Sequence, residues 1–483
     1  MVRVTLFVVS LVLGADSTQG LAEEVRIREK VYTVWPQENL RARGLSVQDI
    51  ARDENAAWQY IRAVNTYELL PDDLRDVLDE AAKKQWPESP ALVEFLARPA
   101  NRDALAIVAA ATTLPACQMP FFGDPAGSII SAQLPNLTHL RTLGKMLIAD
   151  GRLQVFRGEI DRGLGRFMEA ARLATHVGSG ATLIEQLIAI SLVKNSQDAI
   201  SQLVLSDRFS ARQLTDLDRQ LEAYAKDLPD MRNGLEGEKQ FGPAIIDEIA
   251  VHFFKRSTPF VQIGVLGQFA SSSPILDAAR DPVPRDGWDR LEHRIARLLF
   301  PDRTIKAHME GYYDACLRRY DEGAAAMKRL DTDVQDFGDK RIPSWDIFAR
   351  ILLPSLTRAI ELGEEMRANF SMLRAAVRVR SYMATHDGRV PRSLDDVVTV
   401  KESADALFFD PFSRKRVRYN SIGDGWLVYS IGVDLVDDGG APRGKHPRGR
   451  REGDLVLRYP PMEREQAGSE NVGTERAENR ESR

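Results

Sequence analysis

The stretch LIEQLIAISLV, residues 183–193, decides the fold class of this chain. Its apolar residues recur three or four positions apart and cover more than one side of a helix. They are Leu183, Ile184, Leu187, Ile188, Ile190, Leu192 and Val193. A helix with so wide an apolar face is buried on most sides, so this stretch predicts the central helix of a helical core.

The same helical period extends in both directions, over about residues 46–385. Ser46 followed by Asp49 resembles a capping box at the start of the first long helix, and Pro71 is expected to end that helix. Strand-like sequence is nearly absent before residue 407, apart from the run Val31–Val34. The sequence therefore predicts a mainly α protein.

Small residues at regular spacing predict one tight helical hairpin. The residues concerned are Leu147, Gly151, Gly158, Gly163, Phe167 and Ala170. Their order resembles the tetratricopeptide repeat, in which small residues let two antiparallel helices approach and an aromatic residue fills the gap. Only one repeat matches, Gln154 replaces the usual aromatic residue, and no second copy follows at the repeat period of about 34 residues. We therefore predict a repeat-like hairpin, with an ordinary tight hairpin as the alternative.

A different pattern occupies residues 366–460. The segments Arg416–Tyr419 and Gly425–Ser430 have strand composition with a turn between them, and Leu455–Tyr459 predicts a final strand. The segment GVDLVDDGG, residues 432–440, is an acidic loop bounded by glycines. A helical body over residues 23–365 is thus expected to precede a small α+β module with a short antiparallel sheet.

The order of motifs in this module resembles the C-terminal part of the major pseudopilin of type II secretion. After a long helix come GRVP at 388–391, a short helix, DPF at 410–412, RY at 418–419 and LVYSIGVDLVDDGG at 427–440. The resemblance covers about a fifth of the chain. The chain is also similar to a group of large exported bacterial proteins of unassigned activity that pair a helical body with this ending. The segments that look like theirs are Asn55–Ala57 and LLPSL at 352–356.

The matching loop of the pseudopilin binds a calcium ion. The resemblance implies that the ligands here are the Ser430 carbonyl and the carboxylates of Asp434, Asp437 and Asp438. Calcium takes roughly six to eight oxygen ligands, and clustered carboxylates on a bendable loop can supply several of them. A solvated acidic turn without an ion is the alternative. Unlike pseudopilins, this chain does not begin with a long apolar helix, and a shared fold does not transfer function.

The N-terminal residues 1–22 have the pattern of a secretory signal peptide. The apolar run Val4–Leu13 follows Arg3, and Gly20–Ala22 places small residues at the expected cleavage site. The run is too short for a permanent membrane span, which needs about 20 residues. We therefore expect an exported protein, periplasmic or extracellular. Residues 461–483 lack apolar periodicity and are predicted to form a disordered tail.

The composition excludes several functional classes. The 65 Lys and Arg against 70 Asp and Glu give a net charge of -5, which argues against a nucleic-acid partner. Two cysteines, Cys117 and Cys316, exclude a disulfide-rich scaffold; they could form one bridge or remain two buried thiols. Basic residues at 414–418 and 443–451 flank the acidic loop. They suit either a patch for polyanions such as cell-surface polymers or a solvated loop.

No motif identifies a catalytic or cofactor-binding residue. Ser191 and Lys194 satisfy a serine-acylation pattern, but its partner motifs are absent. Two interpretations remain. The first is an exported interaction or scaffold protein, without catalytic activity, that binds a protein or a cell-surface polymer and has a calcium-stabilised C-terminal module. The alternative is an exported hydrolase using carboxylates in a groove of the helical body, which two raised-pKa carboxylates across a cleft would favour.

Overall fold

The computed structural model describes residues 23–42, 44–45, 47–84, 89–124, 133–256, 302–323, 356–399, 403–445 and 451–461. The predicted signal peptide and the predicted tail beyond residue 461 lie outside the described residues. Helices dominate the described part, and the strands are confined to small antiparallel sheets. The predicted fold class is therefore confirmed.

A β-hairpin precedes the helices of the body. Strands β1 (Glu24–Ile27) and β2 (Lys30–Thr33) pair antiparallel. The helices that follow are α1 (Gln37–Ala42), α2 (Ala56–Thr66), α3 (Asp72–Lys83), α4 (Pro90–Ala97), α5 (Pro99–Ala111), α6 (Leu137–Phe156), α7 (Ile160–Gly178), α8 (Leu183–Val204), α9 (Ala211–Tyr224), α10 (Met231–Arg256) and α11 (Asp302–Glu322).

The first long helix begins later than the sequence predicted. Ser46, the expected cap, lies outside the described residues, but residues 47–55 are not helical, and α2 starts at Ala56 with Asn55 as its N-cap. The buried Asn55 side chain accepts hydrogen bonds from the Ala57 amide and from the Gln118 amide, both at 3.0 Å. The second of these bonds is long-range, and a cap that depends on a distant residue has no local signature.

The stretch that decides the fold class forms α8 and begins with a capping box between Thr182 and Glu185. The helix packs against α6, α7, α10 and the long helix α12 (Leu356–Thr385). Ile190 is buried, whereas Ile184 in the first turn is 57% exposed. The prediction of a central helix is confirmed, and its apolar residues are uniformly buried only from Ala189 onward.

Helices α6 and α7 form the predicted tight hairpin. Gly158 in the connection has a φ of +87°, a left-handed conformation that favours glycine after a helix end. A Cβ atom on Gly163 would lie 2.7 Å from the Gly151 carbonyl oxygen, and a Cβ atom on Gly151 would lie 2.6 Å from the Phe167 ring. The small residues therefore permit the close approach, and the aromatic ring fills the space beside it.

Helix α12 joins the helical body to the C-terminal module. It packs against α8 and α9 on one side and against strands of the module on the other. One hydrophobic core includes Leu373 and Val377 of α12 together with Trp426 and Val428 of the sheet. The boundary that the sequence placed at residue 366 thus falls inside a helix that both parts share.

The module contains a short antiparallel sheet, as predicted. The strands are β3 (Phe409–Asp410), β4 (Lys415–Arg416), β5 (Arg418–Ile422), β6 (Gly425–Ser430), β7 (Gly444–Lys445), β8 (Arg451–Glu452) and β9 (Leu455–Tyr459), with a short helix α13 (Ala404–Leu407) before them. The order of the main sheet is β5-β6-β9, and Ser430 at the end of β6 pairs with Leu455 at the start of β9. This register brings the segment before β9 beside the acidic loop that follows β6.

Two further expectations concern the cysteines and the membrane. Cys117 and Cys316 are both buried free thiols, so the structure matches the second of the two alternatives for them. Among the helices in the described ranges, none has the length and apolar composition needed to cross a membrane.

Candidate functional site

The acidic loop between β6 and β9 is the site that the sequence predicted. Ser430 is fully buried, and its hydroxyl donates a hydrogen bond of 2.7 Å to Asp410 Oδ1. The same hydroxyl accepts a hydrogen bond from the Gly432 amide at 3.3 Å. The Ser430 side chain is therefore engaged in fixing the start of the loop.

Asp434 folds the loop back onto the segment before β9. Its Oδ1 atom accepts a hydrogen bond from the Val436 amide at 3.2 Å, and its Oδ2 atom accepts one from the Gly453 amide at 2.8 Å. Leu435 between them has a φ of +58°, which is unusual for a branched residue and marks a tight turn. Asp434 thus joins the loop to the residue that precedes Asp454.

Asp437 is held by a basic residue of the neighbouring strand. Its Oδ2 atom lies 2.6 Å from Arg418 Nε, and its Oδ1 atom accepts a hydrogen bond from the Gly439 amide at 3.1 Å. Burial would raise the pKa of Asp437, but the Gly439 amide and Arg418 outweigh this effect and lower it. Asp438, the next residue, is exposed.

Asp454 is the residue that the sequence reasoning missed. It is 1% exposed, and its Oδ2 atom accepts a hydrogen bond from the Gly440 amide at 2.7 Å. Its Oδ1 atom is buried and has no hydrogen-bond partner within the described ranges. Burial raises the pKa of Asp454, and the nearby charges of Asp437 and Asp438 raise it further. The only sequence signal was an acidic residue directly before the last strand.

The structure brings some of the predicted ligands together and keeps others apart. Asp437, Asp438 and the unforeseen Asp454 are close enough for their charges to interact, whereas Asp434 bonds to backbone amides. In the described part of the chain, no group of three or more His, Cys, Asp or Glu side chains is gathered as a metal site. The donors are nevertheless oxygens of the kind calcium takes, and one buried oxygen lacks a partner. Asp437 would have to leave Arg418 for these oxygens to bind one hard cation.

Glu365 of α12 connects this region to the helical body. Its buried Oε1 atom lies 3.0 Å from Arg443 Nη1 and 3.1 Å from Arg358 Nη1, and Lys194 Nζ lies 3.8 Å from Oε2. Burial would raise the pKa of Glu365, but the three cations together lower it below its ordinary value. Because Arg443 also donates to the Gly453 carbonyl at 3.4 Å, one carboxylate links α8, α12 and the segment beside the loop.

Burial raises the pKa of five carboxylates in the described part of the helical body, and two of them, Glu185 and Glu238, lie at the start of α8. Burial raises the pKa of Glu185 to about 7 and also raises that of Glu238. Glu185 accepts a hydrogen bond from the Thr182 amide at 3.0 Å, and Glu238 accepts one from the Leu183 amide at 3.2 Å. Neither carboxylate lines the cavity of about 350 Å³ beside this turn, whose wall includes Gly180. Both side chains anchor the helix start.

A larger cavity lies among α4, α5, α6 and α7 and has a volume of about 760 Å³. Arg166 on its wall bonds to Asp150 and to Glu169, each at 2.8 Å. One cation is thus shared by two carboxylates, which leaves these three groups with a net negative charge.

In comparisons with protein-family models, with curated proteins and with solved structures, nothing matches this chain.

Proposed function

We propose that this chain is an exported interaction or scaffold protein without catalytic activity, whose C-terminal module is stabilised by calcium. The observation that carries the proposal is the buried Oδ1 atom of Asp454, which has no hydrogen-bond partner within the described ranges and lies beside two further acidic residues. A cation there would give this oxygen a partner and would neutralise the repulsion among Asp437, Asp438 and Asp454.

The residues that would hold the cation are those of the loop together with Asp454. Asp437 and Asp438 would contribute carboxylate oxygens and Ser430 its carbonyl, and Asp434 would join them by giving up its bonds to the Val436 and Gly453 amides. Calcium would add electrostatic stabilisation to a loop that otherwise depends on hydrogen bonds to backbone amides and on the Arg418–Asp437 ion pair. Asp437 would exchange its partner Arg418 for the cation.

The contacts of Glu185 and Glu238 argue against these two residues as the catalytic pair of the hydrolase alternative. Glu185 and Glu238 bond to consecutive backbone amides at the start of α8, which is a helix-anchoring role. A general acid and its partner carboxylate must instead face a cleft that admits substrate and water. The large polar cavity beside Arg166 is a candidate place for a partner of the helical body.

Thermal unfolding of the full chain tests the calcium part of the proposal. We expect calcium at about 100 times its Kd to stabilise the protein by about 2.7 kcal/mol relative to EDTA. Magnesium should have a smaller effect, because it dehydrates reluctantly and needs stricter geometry. The substitutions Asp438→Asn and Asp454→Asn should each remove most of the calcium response. Asp424→Asn is the matched control, since Asp424 is exposed in the turn between β5 and β6.

Two outcomes would contradict this assignment. An unchanged melting temperature at millimolar calcium would mean that the loop is only an acidic turn. A normal calcium response in Asp438→Asn and Asp454→Asn would mean that the ion binds elsewhere. Without calcium, Asp454→Asn should leave the stability unchanged or raise it slightly, because the substitution removes a buried charge next to two like charges.

A further inference from the structure

A basic cavity lies on the other side of Asp437. It has a volume of about 350 Å³, within the range of about 300–1,000 Å³ that is usual for small-molecule sites. Four cationic side chains line it, together with two tyrosines and Asn420. The four cations are Arg392, Lys415, Arg416 and Arg418.

Only two of these cations are neutralised by acidic neighbours. Arg416 Nη1 lies 2.7 Å from Asp395, and Arg418 Nε lies 2.6 Å from Asp437. Arg392 and Lys415 are exposed and form no ion pair within the described residues. Arg392 and Lys415 are therefore the cations that an anionic ligand can reach, while two further carboxylates, those of Asp396 and Asp405, lie near Tyr419 and Arg416.

The backbone donors beside the cavity are already occupied. The amides of Arg392 and Ser393 both donate to Asp396 Oδ2, at 2.8 Å and 3.0 Å. The amide of Asp395 donates to Ser393 Oγ at 3.2 Å. Phosphate sites commonly use free backbone amides as hydrogen-bond donors. Because the amides named above are already bonded, the donors that this cavity offers a ligand are side chains. Guanidinium groups match a carboxylate in a bidentate manner.

The remaining lining suits a sugar. Asn420 and the Ser393 hydroxyl can exchange hydrogen bonds with sugar hydroxyls, and the half-buried ring of Tyr419 provides flat apolar surface. The Tyr419 hydroxyl donates to the Pro391 carbonyl at 2.8 Å, which fixes that ring in the cavity wall. We propose that this cavity binds a carboxylated sugar residue of an acidic polysaccharide.

An acidic polysaccharide would be the partner of the proposed interaction protein, so this inference rests on the proposed function. Asp437 connects the two, because it lines the cavity, pairs with Arg418 and belongs to the acidic loop. A cation held by the loop draws Asp437 away from Arg418 and leaves a third cation for the ligand. Calcium and the acidic sugar then strengthen each other's binding, since coupling between two sites is reciprocal.

Titration calorimetry on the full chain at low salt tests the site. The probe is a trisaccharide of galacturonic acid, and its methyl ester is the neutral comparison. We expect binding of the acid and little binding of the ester. Arg392→Ala and Lys415→Ala should each weaken binding about tenfold, as expected for the loss of a charged hydrogen bond. Arg389→Ala, which removes an exposed charge outside the cavity, is the matched control and should bind as the wild type does.

Equal binding of the acid and the ester would overturn the proposal, as would equal loss in Arg389→Ala and Arg392→Ala. Tighter binding of inorganic phosphate than of the trisaccharide, lost in Arg392→Ala, would show a phosphate site and would also overturn it. Circular dichroism of each variant separates lost binding from lost folding.

The coupling has its own test. In EDTA, Asp437→Asn should bind the trisaccharide about threefold tighter than the wild type, because it frees Arg418 without calcium. Calcium should strengthen binding to the wild type and leave Asp437→Asn unchanged. If calcium stabilises the chain but no trisaccharide binds, the site is wrong and the proposed function stands. If the trisaccharide binds but calcium has no effect on stability, the calcium proposal is wrong and the site stands without its coupling.

Discussion

Replacing Glu365 by glutamine should lower the free energy of unfolding, because it weakens the contact between the helical body and the C-terminal module. Glu365 is fully buried, and the substitution keeps its shape while leaving Arg443, Arg358 and Lys194 without their shared carboxylate. Removing one partner of a buried ion pair typically destabilises a protein by about 3–5 kcal/mol. The lower end, about 3 kcal/mol, applies here because Arg358 is 44% exposed and can be solvated by water.

Urea unfolding followed by circular dichroism and tryptophan fluorescence measures this loss. Glu361→Gln is the matched control, because Glu361 lies one turn earlier on α12 and also contacts Arg358 but is more exposed. We expect it to change the free energy of unfolding by less than about 1 kcal/mol. If the two variants lose equal stability, Glu365 does not have the role described.

The pH dependence of the wild type provides a second measurement. The pKa of Glu365 is lowered in the folded state relative to its ordinary value of 4.5. The contribution of Glu365 to the free energy of unfolding is therefore complete above about pH 4.5 and is lost as the pH falls below that value. Glu365→Gln should flatten this acid-side loss of stability, whereas Glu361→Gln should leave it in place.

Two further predictions concern the body. Gly151→Ala should destabilise the protein by about 1–3 kcal/mol in urea unfolding, because the added methyl group meets the Phe167 ring; Gly165→Ala, where nothing lies within 4 Å, should leave stability unchanged or raise it by up to about 1 kcal/mol. Burial lowers the pKa of His176 to about 4, so the contribution of His176 to stability should fall by about 2 kcal/mol between pH 8 and pH 5, as the unfolded chain takes up the proton, whereas the raised pKa of Glu185 acts in the opposite direction over this range. The difference in stability between the wild type and His176→Gln should therefore change by about 2 kcal/mol between these pH values, and a constant difference would refute it.

Features with a local physical cause could be predicted from the sequence. The spacing of apolar residues over 183–193 predicted α8, because a helix with so wide an apolar face is buried on most sides. The small residues of α6 and α7 identified a close approach, since a side chain at Gly151 would clash. The acidic loop was visible because its three carboxylates lie within five residues of the sequence. In each case the residues that set the geometry lie within one or two elements.

Features that depend on distant partners could not be predicted. The predicted start of α2 was wrong because its actual cap, the buried Asn55, is held in place by a bond from the distant Gln118 amide. Asp454 was missed because only the register of β6 with β9 places it beside the loop. The pairing of Arg418 with Asp437 likewise depends on how the loop folds back over the sheet.

The same geometry explains why the loop and the body should respond together. Asp454 lies beside Gly453, whose carbonyl accepts a hydrogen bond from Arg443, and Arg443 in turn reaches Glu365 on α12. Helix α12 packs against α8 and α9, so a change that orders the loop acts on a helix that is part of the central core. A cation that binds only the folded loop therefore stabilises a structure continuous with the body, and its effect should appear in the unfolding of the full chain.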